Sequence, residues 1–279
     1  MRTLFSAVLV LLAHSCPAAD DRMTLASTTS TQNSGFYDYL LPILKKETGI
    51  TVDVISVGTG QALRIAQNGD ADAVLVHHRP SENAFVEAGY GVDRRDVMYN
   101  DYVIVGPADD PVGIAESSSV IEAFERLSAG EAMFISRGDD SGTHKKETEI
   151  WHMSGLSPSG DWYREIGAGM GAALNMASVT DSYTLTDRGT WISFGNKGSL
   201  AVLFSSEPPL FNPYGLILVS PERHEHVRHD LAVRFADWLT SLSGQNAISE
   251  FRVAGQQLFC PNSDEFRQEV STDGFRCLE

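Results

Sequence analysis

The chain has 279 residues, of which 42% are hydrophobic and 21% are charged. That length can bury the core of one large domain or of two ordinary ones, and the composition is that of a soluble globular protein. The formal net charge is −16. Because nucleic-acid phosphates need clustered lysine and arginine, this charge argues against a nucleic-acid partner. A small anion is not excluded, since salt screens distant charges within about 8–10 Å.

The N-terminus predicts export. Arg2 precedes an apolar run at residues 4–13, and small residues follow as far as Ala19. This order is typical of a secretory signal peptide, and the run is too short to span a membrane. We expect residues 1–19 to be removed and the mature protein to work in the periplasm. Lipid attachment through Cys16 is not favoured, because the residues before it lack the usual leucine.

Two cysteines, Cys260 and Cys277, remain in the predicted mature chain. An oxidising compartment permits a disulfide between them. Such a bond would hold a polar C-terminal tail that has little apolar surface to bury. We therefore interpret the pair as a structural disulfide without a chemical role.

Strands alternate with helical patterns along the mature chain. Apolar or β-branched runs predict strands at 23–27, 50–57, 73–76 and 102–106, and apolar residues at helical spacing follow several of them. This alternation indicates βαβ units, and so an α/β protein with mostly parallel sheets flanked by helices. Residues 184–188 are predicted to form a polar turn.

The predicted chain divides into two lobes. The loop 107–113 is rich in proline, aspartate and glycine and suggests a crossover into a second domain, and a strand at 214–219 suggests the return. Lobe I would then hold residues 20–101 with 215–279, and lobe II residues 102–214. Two lobes joined by two crossovers leave a cleft between them, where ligands commonly bind.

Three predicted strands are each followed by a polar turn and a helix, with the turns at 28–34, 58–61 and 136–143. Helix N-termini bind anions, because their first N–H groups lack intrahelical partners and the dipole is positive there. Ordinary N-capping needs only one hydroxyl, whereas the first turn carries five. Arg137 adds a permanent charge and a planar fork of donors. Since such loops gather beyond the carboxyl ends of strands, we expect them to meet on one oxyanion.

The order of these motifs resembles that of periplasmic oxyanion-binding proteins of ABC importers, and most closely the tungstate-binding family. The central motif is Arg137-x-Asp139-x-Ser141-Gly142-Thr143. The likeness covers nearly the whole mature chain, through segments 28–31, 57–63, 69–72, 99–101, 136–146, 185–191 and 212–215. Ser27 stands where the family commonly has the first of three threonines, and the tail after Pro261 lies outside the pattern.

The resemblance implies a two-lobed, type II Venus-flytrap fold and a tungstate site in which Thr28, Arg137 and Thr143 contact the anion. Further ligand-binding residues are predicted from the polar turns and from one more helix start: Ser30, Thr59, Ser141, Gly169, Met170 and Gly171. Supporting residues around them are predicted as well: Thr29, Asp139 and Arg188.

The roles expected of Asp139 and Arg188 follow from the charges of their side chains. Asp139 would orient Arg137 rather than touch the ligand, because an ionised carboxylate repels a dianion. Arg188 would either pair with Asp187 or line the cleft. No metal and no cofactor are expected. The resemblance implies the permease and ATPase of an ABC importer as partners, and we expect a monomer.

Phosphate binding and enzymatic activity are the alternatives to tungstate binding. Phosphate keeps a proton near neutral pH and benefits from a carboxylate acceptor, which turns 28–34 and 58–61 lack. That favours the unprotonated anions tungstate, molybdate and sulfate. Tungstate and molybdate differ little in size, so only the resemblance separates them. The segment 138–142 is not a G-x-S-x-G nucleophile turn, and no histidine is marked as its base, so we expect no catalysis.

Overall fold

The computed structural model describes residues 21–139, 141–205, 208–270 and 277. The predicted signal peptide and Cys16 lie outside these residues. The helices are α1 Thr29–Asn33, α2 Phe36–Thr48, α3 Thr59–Gln67, α4 Arg79–Glu87, α5 Val120–Ala129, α6 Gly142–Met153, α7 Met170–Thr180, α8 Arg188–Ser193, α9 His229–Thr240, α10 Leu242–Glu250 and α11 Asp264–Val270. In this described part, no helix is long and apolar enough to cross a membrane.

The strands are β1 Arg22–Thr28, β2 Thr51–Val57, β3 Ala73–Val76, β4 Gly91–Pro107, β5 Phe134–Ser136, β6 Tyr163–Glu165, β7 Thr184–Asp187, β8 Leu200–Phe204, β9 Phe211–Val219, β10 Arg252–Val253, β11 Gln256–Gln257 and β12 Cys260–Pro261. The main sheet runs in the order β12-β4-β9-β3-β1-β2, and β7 and β8 also pair with β4. Strand β1 is parallel to β2 and β3, and β5 is parallel to β6. The α/β class is confirmed, and the parallel pairs belong to the strand–helix–strand units.

The long strand β4 runs through both halves of the molecule. Its residues 91–101 pair antiparallel with β9, whereas its residues 102–107 pair with β7 and β8. We call the part around β1, β2, β3 and β9 lobe I, and the part around β5 to β8 lobe II. The lobe limits 20–101 with 215–279, and 102–214, stay predictions.

Each lobe has its own apolar core. In lobe I, Phe36 of α2 and Phe235 of α9 lie in one buried cluster with the sheet, and α3 covers the other face. In lobe II, Phe124 of α5 and Trp151 of α6 meet edge to face with ring centroids 4.4 Å apart. Burying one such side chain contributes about 1.5–3 kcal/mol. This packing fixes the helices against the sheets, and so fixes where their N-termini point.

Two predicted polar turns have regular structure instead. Residues 29–33 form α1, a short helical segment that begins directly after β1. Residues 184–187 form β7, paired with β4, and Arg188 begins α8. The second prediction failed because Leu185 and Thr186 are buried by tertiary pairing, which their polar neighbours hide in the sequence.

The predicted disulfide between Cys260 and Cys277 is present, with the two Cα atoms 5.8 Å apart. Cys260 lies in β12, which pairs antiparallel with β4 at Tyr99 and Met98. Helix α11 lies between the two cysteines in sequence. The bond therefore ties the C-terminal tail to the strand that runs through both lobes.

Replacing both cysteines with serine is expected to lower the free energy of unfolding by about 3 kcal/mol, because the bond joins two residues 17 positions apart and so restricts the unfolded chain. Urea unfolding of the parent and the variant measures the difference. The parent in excess reductant serves as the control and should lose a similar amount. Equal unfolding midpoints for oxidised parent and variant would contradict the prediction.

Candidate anion-binding site

A cleft of about 1000 Å³ is lined by residues of both lobes. At ~30 Å³ per molecule, that volume corresponds to roughly thirty waters. It is therefore much larger than a single tetrahedral anion. A small ion could be enclosed on all sides only if the lobes moved closer together.

The N-termini of six helices line this cleft, those of α1, α3, α4, α6, α7 and α8. The N-cap residues Thr28, Gly58 and Gly169 make no side-chain cap, so the first N–H groups of their helices keep their donors. Ser141 caps α6, accepting from the backbone N–H of His144 at 3.3 Å. His78 and Asp187 likewise cap α4 and α8 with their side chains. The cleft thus collects free backbone donors and positive dipole ends.

Arg137 lies between β5 and α6 and lines the cleft. The carboxylate of Asp139 accepts from its Nε at 3.1 Å and from its Nη2 at 2.5 Å. Among the described residues, Nη1 of Arg137 has no hydrogen-bond partner, so its N–H groups are available to an anion. Burial raises the pKa of Asp139, but hydrogen bonds from Ser141 and Arg137 outweigh it and lower that pKa below its usual value. Asp139 therefore stays ionised beside the guanidinium and is itself absent from the cleft lining.

Hydroxyl groups cluster at the end of β1. Thr28 is only 3% exposed. Its Oγ1 lies 2.7 Å from Oγ1 of Thr31 and 3.2 Å from Oγ of Ser30. Thr29 and Ser30 are exposed where the cleft passes them. This network orients the hydroxyl of Thr28 while leaving neighbouring donors open to a ligand.

The structure brings the predicted ligand-binding residues together. The cleft is lined by every one of them: Thr28, Ser30, Thr59, Arg137, Ser141, Thr143, Gly169, Met170 and Gly171. Of the supporting residues, Thr29 lines the cleft whereas Asp139 and Arg188 do not. Direct contact between the ligand-binding residues and an anion stays a prediction.

Neither expectation for Arg188 holds. Its Nε and Nη2 donate to the two carboxylate oxygens of Asp101 at 2.5 and 2.7 Å, and the Asp101 side chain is fully buried. Asp187 is engaged elsewhere, because it caps α8 by accepting from the N–H of Thr190 at 2.8 Å. The Arg188 pair thus ties α8 to β4 at the point where β4 changes partners.

Sequence reasoning missed several residues of the cleft. Arg64 and Lys145 line it together with Arg137, against one carboxylate, Asp187, in the described lining. The cleft is therefore locally positive although the whole chain is strongly negative. Lys145 could have been found, since a lysine in the first turn of α6 opposes the helix dipole. Tyr102 also lines the cleft, but the sequence around it gives no sign of this, because it lies inside the apolar run of β4.

Helix α6 also carries a buried carboxylate. Oε1 of Glu147 accepts from Nε1 of Trp151 at 3.2 Å and from the hydroxyl of Tyr163 at 2.7 Å. Burial raises the pKa of Glu147 above its usual value. Because its folded pKa exceeds its unfolded pKa, the stability linked to Glu147 is present at low pH and is lost as pH rises through the folded pKa.

Glu147→Gln is therefore expected to raise the melting temperature at pH 8, and the gain should shrink at pH 5. Glutamine keeps an acceptor for Trp151 and Tyr163 without the buried charge. Thermal unfolding at both pH values measures this. Glu149→Gln is the matched control, since this side chain on the same helix is 56% exposed, and it should show little change. An equal gain at both pH values in the Glu147→Gln variant would contradict the assignment.

Comparison with known proteins identifies the family. Residues 15–243 match the PBP superfamily domain. The tungstate-binding protein TupA of Peptoclostridium acidaminophilum is 44% identical over 249 residues, which cover 88% of this chain and 87% of that protein. This chain belongs to the TupA family. The resemblance inferred from the sequence motifs is thereby confirmed.

Two solved structures related to this TupA-family protein share its fold. The tungstate-binding protein TupA from Desulfovibrio alaskensis G20 has a TM-score of 0.83 at 41% identity, covering 87% of this chain and 99% of that chain. The tungstate ABC transporter structure from Geobacter sulfurreducens has a TM-score of 0.74 at 49% identity, covering 84% and 100%. The predicted periplasmic-binding-protein fold is thus confirmed for this TupA-family chain.

Proposed function

We propose that this protein captures tungstate in the cleft between its lobes and delivers it to an ABC importer. The observation that carries this proposal is the joint lining of one cleft by Arg137 and by helix N-termini from both lobes. The names of the TupA relatives and of the Geobacter structure support tungstate as the ligand and an ABC importer as the destination.

The chemistry of the ligand agrees with this lining. Tungstate is a fully ionised dianion near neutral pH, so it accepts hydrogen bonds and donates none. The cleft offers backbone N–H groups, hydroxyls and cations, and Asp187 is already occupied as a helix cap. Charge-assisted hydrogen bonds contribute roughly 1.5–3 kcal/mol each. Several of them in a closed cleft account for nanomolar affinity, which corresponds to about −12 kcal/mol.

The open cleft, and the strand β4 that runs through both lobes, support capture by hinge closure. The lobes would approach until donors from α1 and α3 in lobe I and from Arg137, α6 and α7 in lobe II reach the same anion. The closed, loaded form would then be recognised by the permease, with an ATPase driving transport. In this proposal the protein works in the periplasm as a monomer and performs no chemistry.

Isothermal titration calorimetry of the mature protein tests the proposal with tungstate, molybdate, sulfate and phosphate in separate titrations. Tight one-to-one binding of tungstate, with weaker molybdate and no phosphate, is the expected result. Phosphate binding alone would reassign the ligand and would require a carboxylate acceptor in the closed cleft. If none of the four anions bound, oxyanion capture would be rejected.

A further inference from the structure

His77 directly follows β3 and lines the cleft. Its ring packs on Tyr214 of β9, with the ring centroids 4.7 Å apart. Its Nδ1 lies 3.0 Å from Oδ1 of Asn212. No local pattern points to this arrangement, because His77 and Asn212 are 135 residues apart.

The hydrogen-bond network sets the tautomer of the ring. Nδ2 of Asn212 donates to Oδ1 of Asn100 at 2.8 Å, so Oδ1 of Asn212 is the acceptor that faces His77. Nδ1 of His77 must therefore carry the hydrogen, and in the neutral ring Nε2 keeps its lone pair. Among the described residues, no hydrogen-bond partner of Nε2 is found.

Gly142 shows where the open edge of the ring lies. A Cβ placed on Gly142 would be 3.7 Å from Cε1 of His77 and 3.8 Å from the hydroxyl of Tyr102. Cε1 is the ring atom between the two nitrogens, and Gly142 is the first residue of α6. The ring edge thus lies beside the helix N-terminus that also presents Thr143 to the cleft.

Burial favours a neutral His77 ring when no anion is bound. Burial lowers the pKa of His77 most, and His78 lowers it further, whereas the Asn212 hydrogen bond and the Asp187 carboxylate raise it. Two other polar residues, Asn100 and Tyr102, lie nearby on β4. Asn100 has no titratable group, and Tyr102 stays uncharged because burial raises its pKa above the usual value of a tyrosine. A dianion beside α6 would stabilise the imidazolium strongly.

We propose that His77 is a further anion-binding residue, whose Nε2 takes up one proton from solvent when a doubly charged oxyanion enters the cleft and then donates it in a hydrogen bond to that anion. This inference rests on the proposed oxyanion function. It makes capture pH-dependent: between the pKa of His77 in the free and in the loaded protein, the affinity should fall by up to about tenfold for each unit of rising pH.

Calorimetry of tungstate binding in PIPES, HEPES and Tris at pH 7.5 counts the protons. The slope of the observed enthalpy against the ionisation enthalpy of the buffer is expected to show uptake of about one proton per anion. Repeating the titration between pH 7 and 9 should show the affinity falling as pH rises. Tight binding with zero proton uptake would overturn the role of His77 and leave tungstate capture intact, whereas no binding would reject both.

Two variants assign the proton to this ring. His77→Asn retains an amide donor near Nδ1 but lacks Nε2, so we expect no proton uptake and at least tenfold weaker binding at pH 7. His77→Gln places a non-titrating donor near Nε2, so we expect no proton uptake and an affinity that no longer depends on pH.

His78→Asn is the matched control. His78 also lines the cleft and caps α4, and asparagine is a favourable N-cap. This variant should keep the proton uptake of the parent protein. Loss of uptake in His78→Asn but not in the His77 variants would overturn the proposal.

Discussion

Arg137→Ala is expected to weaken tungstate binding by at least about tenfold, because it removes charge-assisted hydrogen bonds that contribute roughly 1.5–3 kcal/mol each. In the structure Asp139 holds one edge of the guanidinium and leaves the Nη1 donors to the cleft. The fold should stay intact, since Arg137 lies in the loop between β5 and α6 and its side chain belongs to neither apolar cluster of lobe II. Calorimetry gives the affinity, and circular dichroism checks the fold.

Two further variants sharpen this test. Arg164→Ala removes the same charge from an exposed position in lobe II and should leave the affinity unchanged. Arg137→Lys keeps the charge but loses the planar fork, so it should bind more tightly than Arg137→Ala and less tightly than the parent. A natively folded Arg137→Ala protein with unchanged affinity would refute the site assignment.

Asp101→Ala is expected to lower the free energy of unfolding by about 3–5 kcal/mol, because it leaves the charge of Arg188 without its buried partner. The side chains of Arg188 and Asp101 are 13% and 0% exposed. Urea unfolding measures the loss. The pair joins α8 to β4.

The control is the same substitution in an exposed pair. Asp53 pairs with Arg22 across β1 and β2, and the two side chains are 54% and 49% exposed. Asp53→Ala should cost no more than about 1 kcal/mol, because solvent screens such pairs. Similar losses in the two variants would show that burial does not set the strength of the Asp101 pair.

These residues surround the point where lobe I meets lobe II. Asp101 and Asn100 lie where β4 passes from pairing with β9 to pairing with β7. Arg188 of lobe II forms an ion pair with Asp101 at this point, and His77 of lobe I forms a hydrogen bond with Asn212 there. In the proposed closing motion, the lobes would therefore turn about strands whose side chains make buried polar contacts.

Local sequence patterns were enough to predict the fold class and the main features of the cleft. Strand–helix alternation indicated the βαβ units, because periodicity and turn chemistry act over a few residues. The segment from Arg137 to Thr143 marked an anion site for the same reason: its hydroxyls, its cation and its helix start are neighbours along the chain. The order of the motifs then indicated the family.

The long-range partners, in contrast, depend on how the strands are arranged in space. Arg188 pairs with Asp101, 87 residues away, rather than with its neighbour Asp187. His77 meets Asn212 because β3 and β9 are adjacent in the sheet. Such contacts depend on strand order and register, which the crossover connections set and which no local pattern encodes.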